Sequence, residues 1–331
     1  MGAVFQALPG LEVPVGAIGR SLAQMWTESA AGGRPAPEAD DARATQVNFV
    51  LHLGLNSTPE DALEQFATVV RFSRRYPGRV VVLCPLHEDV PQPEIRAKIY
   101  GECFLGKSRS DKRCVEFVML SYSRSARRHL ENQVSICLST DLPLYYWAHR
   151  FSASGRLADY RYLLSQAKRV LLDSAIAPAD ALAYPWPNPA ATRDLVHCRL
   201  LPFRQSLGQF LAAYRREILI DGLREVTVTH GTALTAEARV ALGWLEARLT
   251  DCGLRAGQTV FRHTPAAEDE PVSHLGVAMT YEESARYFRW RGDVRSGQAL
   301  FEADLGAGRT TLSAGISLLS PENALSEAMF F

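Results

Sequence analysis

Residues that could bind a phosphate group follow the first predicted strand. Gly54 ends a strand-like run at 47–54, and Ser57 and Thr58 precede a predicted helix, whose start attracts anions. The segment that follows Gly54 lacks the further glycines that let a backbone approach a pyrophosphate, and it contains neither a GxxxxGK(S/T) motif nor a GxGxxG motif. We therefore interpret this segment as an ordinary helix cap, with a nucleotide at the helix start as the alternative.

A second candidate pocket lies at Asp173 and Ser174, within the predicted strand segment RVLLDSA at 169–175. Open α/β sheets bind ligands outside the carboxyl ends of their strands. These two residues and Gly54 could therefore line a site for a nucleotide or a sugar phosphate. Asp and Ser are also common helix caps and turn formers, and we favour that interpretation. An enzyme with a sheet-edge site near Asp173 is the alternative function.

The histidines and cysteines lack the spacings that metal sites and nucleophilic sites require. The eight histidines form no HExxH motif, the six cysteines form no CxxC pair, and no GxSxG motif is present. We therefore expect no catalytic residue, no metal and no cofactor. Because no export signal is recognised, the cysteines are predicted to be reduced, mostly buried thiols of a cytoplasmic protein, with a thiol sensor as a third hypothesis. Cys114 and Glu116 share a strand face and are interpreted as a structural pair.

An aromatic cluster and an arginine group are the clearest candidates for binding a partner. Tyr145, Tyr146 and Trp147 follow Asp141 and Pro143, and they suit either core packing or an interface hot spot. The arginine group surrounds a predicted helix and suits either a solvated surface or the binding of phosphate or an acidic partner. Its members are Arg199, Arg204, Arg215 and Arg216.

The elements that would position these residues alternate between strands and helices. The segment RVVVLCPL at 79–86 contains a continuous apolar run after its arginine, as in a parallel strand buried on both faces. The alternation predicts an α/β fold with a doubly wound, mostly parallel sheet flanked by helices. Strands are predicted at 47–54, 79–86, 95–106 (an edge strand), 113–123, 142–150 and 169–175, and helices from Thr58 and at about 126–138 and 157–166.

The two ends of the sequence differ from this central part. A helix with a stripe of apolar residues is predicted at 13–30, followed by a linker at 32–42 that is rich in small and acidic residues and contains proline. After a helix at 201–220, a strand at 225–231 and a helix from Thr235, the region from Gln258 is predicted to be antiparallel β-structure. The predicted domains are 1–42, 43–155 and 156–331.

Composition excludes some classes of partner. The chain has 331 residues, with 36 Lys and Arg against 36 Asp and Glu. This balance argues against a general nucleic-acid binder. No run approaches the roughly 18 apolar residues of a membrane span, so no membrane association is expected.

Six segments in the same order resemble one protein family. CLSTDLPLYYWAHR at 137–150 resembles the LLxxDLPVxLWW segment of the OpcA family, and AKRVLLDSA at 167–175 resembles its ADRVIVDSS segment. DLVHCRLLPFRQSLGQF at 194–210 and VALGWLEARL at 240–249 resemble two later segments, and RATQVNFVL at 43–51 and RCVEFVML at 113–120 resemble two earlier strands. The resemblance extends from about Arg43 to Leu249. Tyr146 and Phe203 stand where the family has Trp.

The resemblance implies a non-enzymatic protein that binds glucose-6-phosphate dehydrogenase, the entry enzyme of the oxidative pentose phosphate pathway. OpcA-like proteins promote assembly of this dehydrogenase or activate it allosterically. We accordingly expect a partner-binding surface within the matched segments. Its expected members are Asp141, Pro143, Tyr145, Tyr146, Trp147, Arg199, Pro202, Phe203 and Arg204.

Overall fold

Two separate β-sheets organise the chain in the computed structural model, which describes residues 2–37, 46–86, 94–105, 112–181 and 183–331. Unit 1 comprises residues 1–195 together with 321–331, and unit 2 comprises residues 196–320. No helix in the described ranges combines the length and the apolar character needed to cross a membrane.

Unit 1 contains both helices and strands along the chain up to residue 195. In chain order, they and the elements of unit 2 are α1 (Ala3–Ala7), β1 (Leu11–Val13), α2 (Ile18–Ala31), β2 (Val47–Leu53), α3 (Pro59–Ser73), β3 (Gly78–Pro85), β4 (Ile95–Leu105), β5 (Lys112–Tyr122), α4 (Arg127–Cys137), β6 (Leu144–His149), α5 (Arg161–Gln166), β7 (Ala167–Leu172), β8 (Thr192–Asp194), α6 (Leu195–Arg199), α7 (Leu201–Leu211), α8 (Arg216–Ile220), β9 (Leu223–His230), α9 (Thr235–Asp251), β10 (Val260–Pro265), β11 (His274–Tyr281), β12 (Tyr287–Asp293), β13 (Gln298–Asp304), β14 (Thr310–Gly315) and α10 (Pro321–Phe330).

The sheet of unit 1 is mostly parallel. Among the described residues its strand order is β1-β4-β5-β3-β2-β6-β7-β8. The β1–β4 and β4–β5 pairings are antiparallel, and the other pairings are parallel. From β2 the chain adds β3 and β5 on one side and β6, β7 and β8 on the other. Strand β4, predicted to be an edge strand, pairs with β5 along its length and with the short β1 over three residues.

Helices cover both faces of this sheet, which explains the continuous apolar runs of its strands. On one face, Phe66 of α3 packs 4.5 Å from the Phe117 ring, and Phe330 of α10 packs 5.7 Å from the Tyr145 ring. On the other face, α2, α4 and α5 contribute to a core that contains Val50 and Tyr146. Helix α3 begins as its sequence predicts: the Thr58 hydroxyl accepts a hydrogen bond of 3.2 Å from the Asp61 N–H, and Pro59 occupies the first turn.

The N-terminal segment packs on this sheet. The buried Lys98 ammonium donates hydrogen bonds of 2.8, 3.2 and 3.0 Å to the carbonyls of Phe5, Gln6 and Leu8, at the end of α1. The Trp26 indole of α2 donates a hydrogen bond of 2.9 Å to the buried Glu116 carboxylate. The predicted separate segment 1–42 therefore contributes its described residues to unit 1. The predicted linker extends into residues 38–45, which lie outside the described residues.

Unit 2 contains a six-stranded sheet with the order β10-β9-β11-β12-β13-β14. Phe203 of α7 packs 5.0 Å from the Trp290 ring on one face of the sheet, and α9 contributes Leu245 and Leu249 to the same core. The predicted antiparallel tail is confirmed for β11 to β14, whereas β10 pairs parallel to β9.

Three sequence-based boundaries change. The predicted helix at 201–220 is two helices, because Arg215 between them adopts an extended conformation. The C-terminal residues form α10, which belongs to unit 1 instead of continuing the β-rich tail. The predicted domain boundary between 155 and 156 lies inside unit 1, where β6 and β7 on either side of it pair with each other.

Candidate functional site

The predicted aromatic cluster forms strand β6, near the middle of the unit 1 sheet. Tyr145, Tyr146 and Trp147 are 1%, 0% and 4% exposed, because β6 lies between β2 and β7 and is covered on both faces. The Trp147 ring packs edge-on against Phe49, with ring centroids 6.5 Å apart. These three side chains therefore pack in the core of unit 1. They do not contact a partner directly, which corrects the expectation of an interface hot spot.

Tyr146 belongs to a buried polar network that the sequence did not indicate. The His52 Nδ1 atom lies 2.5 Å from the Tyr146 hydroxyl, and its Nε2 atom lies 3.4 Å from the Tyr122 hydroxyl. The Tyr122 and Tyr160 hydroxyls lie 2.6 Å apart. Burial, with a smaller contribution from the positive charge of Arg127, lowers the pKa of His52 to about 3. The imidazole is therefore neutral at physiological pH and serves the packing of the core.

Asp141 and Pro143 lie at the start of β6, where the chain enters the sheet. The Asn48 side chain holds this entry: its Nδ2 donates hydrogen bonds of 2.6 and 3.1 Å to the carbonyls of Ser139 and Leu142. Its Oδ1 accepts a hydrogen bond of 3.0 Å from the Ser139 N–H. Asp141 is exposed and Pro143 is half-buried. These two residues thus form a fixed, accessible part of the predicted partner surface.

The other members of that surface belong to unit 2. Phe203 is 1% exposed and packs against Trp290 and Trp244, so the expectation that its ring contacts a partner directly is also corrected. The Arg199 Nε donates a hydrogen bond of 2.7 Å to the buried Glu237 carboxylate. Arg199, Pro202 and Arg204 are each half-buried.

The residues of the predicted ligand pocket follow two strands that are not neighbours in the sheet, because β6 lies between β2 and β7. Gly54 lies where the loop after β2 meets the loop after β6, and a Cβ atom there would lie 2.5 Å from the Arg150 carbonyl oxygen. This close approach explains the glycine without a ligand. Ser174 donates a hydrogen bond of 2.6 Å to Asp194, and Asp173 accepts one of 3.0 Å from the Ala175 N–H. Asp173 and Ser174 are thus part of a turn, as in the interpretation favoured from the sequence.

A charged cluster at the carboxyl edge of the sheet was missed by sequence reasoning. The Asp61 carboxylate accepts hydrogen bonds of 2.7 Å from His149 Nε2 and 3.0 Å from Arg150 Nε. Burial alone would raise the pKa of Asp61, but the hydrogen bonds and charges of His149 and Arg150 outweigh it and lower that pKa. Arg150 has a φ of 48°, which is uncommon for a residue with a side chain. The sequence signal was only that His149 and Arg150 end a predicted strand.

The cysteines differ from the expectation of reduced thiols at two positions. Cys103 and Cys114 face each other in β4 and β5 and form a disulfide. Cys114 is thus bonded to Cys103, instead of forming a structural pair with Glu116. Cys84, Cys137 and Cys198 are buried, as expected, and Cys252 is half-buried. Burial raises the pKa of Cys84 to about 12 and that of Cys137 to about 11, so neither is an activated thiol.

Unit 1 also contains the segment that matches a known family. Residues 69–184 match the model of the family OpcA_G6PD_assem, described as the glucose-6-phosphate dehydrogenase subunit N-terminal domain. This match confirms that the segment resembles the OpcA family. The match extends over β3 to β7 and includes Asp141, Pro143 and the aromatic residues of β6.

Comparison with curated proteins found no match. Among solved structures, the chain is similar to a crystal structure of glucose-6-phosphate 1-dehydrogenase from Mycobacterium avium, with 10% sequence identity and a TM-score of 0.44. That similarity covers 86% of this chain and 86% of the other chain.

In the part of this chain that the structure describes, no group of three or more His, Cys, Asp or Glu side chains is arranged to hold a metal ion.

Proposed function

We propose that this chain is a non-catalytic assembly factor or allosteric activator of glucose-6-phosphate dehydrogenase, acting in the cytoplasm within the oxidative pentose phosphate pathway. The observation that carries the proposal is the OpcA-family match over residues 69–184, since that family is described as a subunit of this dehydrogenase. The six ordered segments that resemble the family support the proposal, because they extend beyond the matched region into unit 2.

Activation by a non-catalytic subunit has a defined thermodynamic meaning. The chain must bind the active assembly of the dehydrogenase more tightly than the inactive form, because a ligand with equal affinity for both states shifts neither. A tenfold preference corresponds to about 1.4 kcal/mol. A contact surface of ordinary quality can supply a preference of this size.

The residues that we propose to contact the dehydrogenase are the accessible members of the predicted set, taken separately in unit 1 and in unit 2. Asp141 and Pro143 provide an exposed carboxylate and a rigid turn at the entry to β6, fixed by Asn48. Arg199 and Arg204 provide guanidinium groups, which are common at interface hot spots. Tyr145, Tyr146, Trp147 and Phe203 support this surface indirectly, through the cores of the two units.

The arrangement of unit 1 further supports a doubly wound fold. The chain adds strands first on one side of β2 and then on the other, and helices cover both faces of the sheet. We infer that unit 1 is a doubly wound domain whose carboxyl edge contains the cluster of Asp61, His149 and Arg150.

The test compares binding of the host dehydrogenase by wild-type and substituted protein. Arg204→Ala and Asp141→Ala should each weaken binding by tenfold or more, about 1.4 kcal/mol. Arg248→Ala is the matched control, because Arg248 lies on α9 with a side chain that is 61% exposed and pairs only with the neighbouring Asp251 among the ion pairs of the described residues. Circular dichroism establishes that each variant is folded. Full binding by both test variants would show that the proposed surface is wrong.

A second measurement separates this proposal from the enzyme alternative. The isolated chain should not turn over glucose 6-phosphate with NADP at any concentration. Turnover that Asp173→Asn abolishes would favour an enzyme with a sheet-edge site and contradict the proposed role.

A further inference from the structure

Strand β14 leaves one edge of the unit 2 sheet open. It pairs with β13 on one side, and nothing in the described part of the chain pairs with its other side. Every residue of β14 is exposed except Ala314, which is half-buried. An open edge presents backbone N–H and C=O groups to any extended chain, and proteins usually block it with a charged residue, a proline or a very short strand.

The other three sheet edges among the described residues carry these protections. Strand β10, at the far edge of the unit 2 sheet, contains Arg262, which pairs with Glu225 at 2.5 Å, and ends at Pro265. Strands β1 and β8 of unit 1 are three residues long, and each contains a charged residue. Strand β14 has six residues, TTLSAG, with neither a charge nor a proline. This edge is therefore suited to pairing with another strand.

An apolar side chain marks the middle of the open strand. Leu312 lies opposite Phe301 of β13, so both side chains point to the same face of the sheet. Phe301 is buried there and stacks on Phe210 at 4.4 Å, whereas Leu312 is 50% exposed. The core of unit 2 thus ends at Leu312, and a strand that brings another apolar side chain to this position would extend the core.

The sequence of β14 is complementary to itself in one antiparallel register. When two copies of a strand pair around a two-fold axis perpendicular to the sheet, directly opposite residues must share a face, so one residue pairs with its own counterpart. If that residue is Leu312, the two leucines meet on the core face. Thr311 then lies opposite Ser313 on the other face, and Thr310 lies opposite Ala314. Apolar pairs and Thr–Ser pairs of this kind both stabilise a sheet.

Charge does not oppose this pairing. The nearest charged residue is Arg309, whose guanidinium pairs with Glu302 of the same chain at 2.8 Å. In the register centred on Leu312, Arg309 falls opposite Gly315, which has no side chain to obstruct it.

We propose that β14 is a dimerisation edge, which pairs with β14 of a second copy of this chain in the antiparallel register centred on Leu312. The pairing joins two six-stranded sheets into one continuous sheet through about four to six backbone hydrogen bonds. Because the contact is isologous and uses the same open edge of both copies, assembly stops at a dimer. This inference goes beyond the proposed function, since it needs only residues of unit 2.

The test is sedimentation velocity on the isolated full chain over a range of concentrations. The mass should rise from 36.6 kDa at low concentration to twice that value and no further. One strand pair buries less than the roughly 1,600 Å² of a standard interface, so we expect a Kd of about 10–100 µM.

Leu312→Lys should weaken the dimer tenfold or more, because it places two like charges directly opposite each other. Val260→Lys is the matched control, since Val260 is 57% exposed on the opposite edge strand β10 of the same sheet, and this variant should dimerise as wild type does. Circular dichroism establishes that both variants are folded.

A cross-linking experiment tests the register without a charge. Under a mild oxidant, Leu312→Cys should form a covalent dimer through residue 312, because the two thiols lie on the axis. In Thr310→Cys the thiols lie about 13 Å apart along the strands, so this variant should cross-link no more than wild type.

Four results would overturn the proposal. They are a chain that stays monomeric up to about 300 µM, a mass that continues to grow beyond a dimer, unchanged dimerisation of folded Leu312→Lys, and cross-linking through residue 310 instead of 312. A monomeric chain whose Leu312→Lys variant loses the dehydrogenase would also overturn it, by assigning the edge to a different occupant. The self-association measurements contain no dehydrogenase, so their failure is distinguishable from failure of the proposed function.

Discussion

Protonation of the buried His52 should control the acid stability of unit 1. Its pKa is about 3 in the folded protein against 6.5 for an ordinary histidine. Because folding lowers the pKa of His52, the stability that neutral His52 contributes is fully present at pH values above 6.5. It is lost as the pH falls toward the folded-state pKa of about 3. Between about pH 7.5 and about pH 5, the unfolded chain takes up a proton that the folded chain does not. The free energy of unfolding should fall by about 2 kcal/mol over this interval from His52 alone.

The assay is urea unfolding at both pH values, followed by circular dichroism. His52→Asn removes the titrating group and keeps an acceptor near the Tyr146 hydroxyl, so the loss of stability between the two pH values should be smaller by about 2 kcal/mol than in wild type. His129→Asn is the matched control, since His129 is exposed on α4 and should leave the wild-type loss unchanged. If His52→Asn and wild type lose equal stability, then His52 titrates normally and its description as a neutral core residue is wrong.

Two further predictions concern β4. A Cβ atom on Gly101 would lie 2.6 Å from the Trp26 ring. Gly101→Ala should therefore lower the free energy of unfolding by roughly 1–3 kcal/mol and displace α2, which a change in tryptophan fluorescence would show. A variant with wild-type stability and fluorescence would contradict this packing. The Cys103–Cys114 disulfide closes a separation of 11 residues, so replacing both cysteines by serine should cost at most about 3 kcal/mol in the unfolding assay. Thiol labelling of the denatured, unreduced protein should find four of the six cysteines, and six labels would show that no disulfide forms.

Local rules of the sequence predicted the elements of the unit 1 sheet well. The apolar residues 80–86 belong mostly to β3, which lies between two strands and under helices on both faces, and Thr58 caps α3 because its hydroxyl reaches the Asp61 N–H. Both features depend on residues within one element. The short elements α1 and β1 were not predicted, because contacts with residues distant in sequence stabilise them. The hydrogen bonds from Lys98 to the end of α1, for example, join residues about 90 positions apart.

The candidate sites were harder to predict for the same physical reason. The aromatic residues of β6 suited a core and an interface equally well from composition, and only the position of β6 between β2 and β7 separates these alternatives. The partners of Asp61 are 88 and 89 positions away, so their meeting depends on the strand order. Cys103 and Cys114 face each other only because of the exact register of β4 and β5.

The most direct test of the proposed function mixes this chain with the host glucose-6-phosphate dehydrogenase and measures both mass and rate. Size-exclusion chromatography with light scattering should detect a complex that contains both chains, and the dehydrogenase should reach a higher rate, or form its active oligomer at a lower concentration, when the chain is present. A dehydrogenase whose mass and rate are both unchanged by a molar excess of the folded chain would contradict the account.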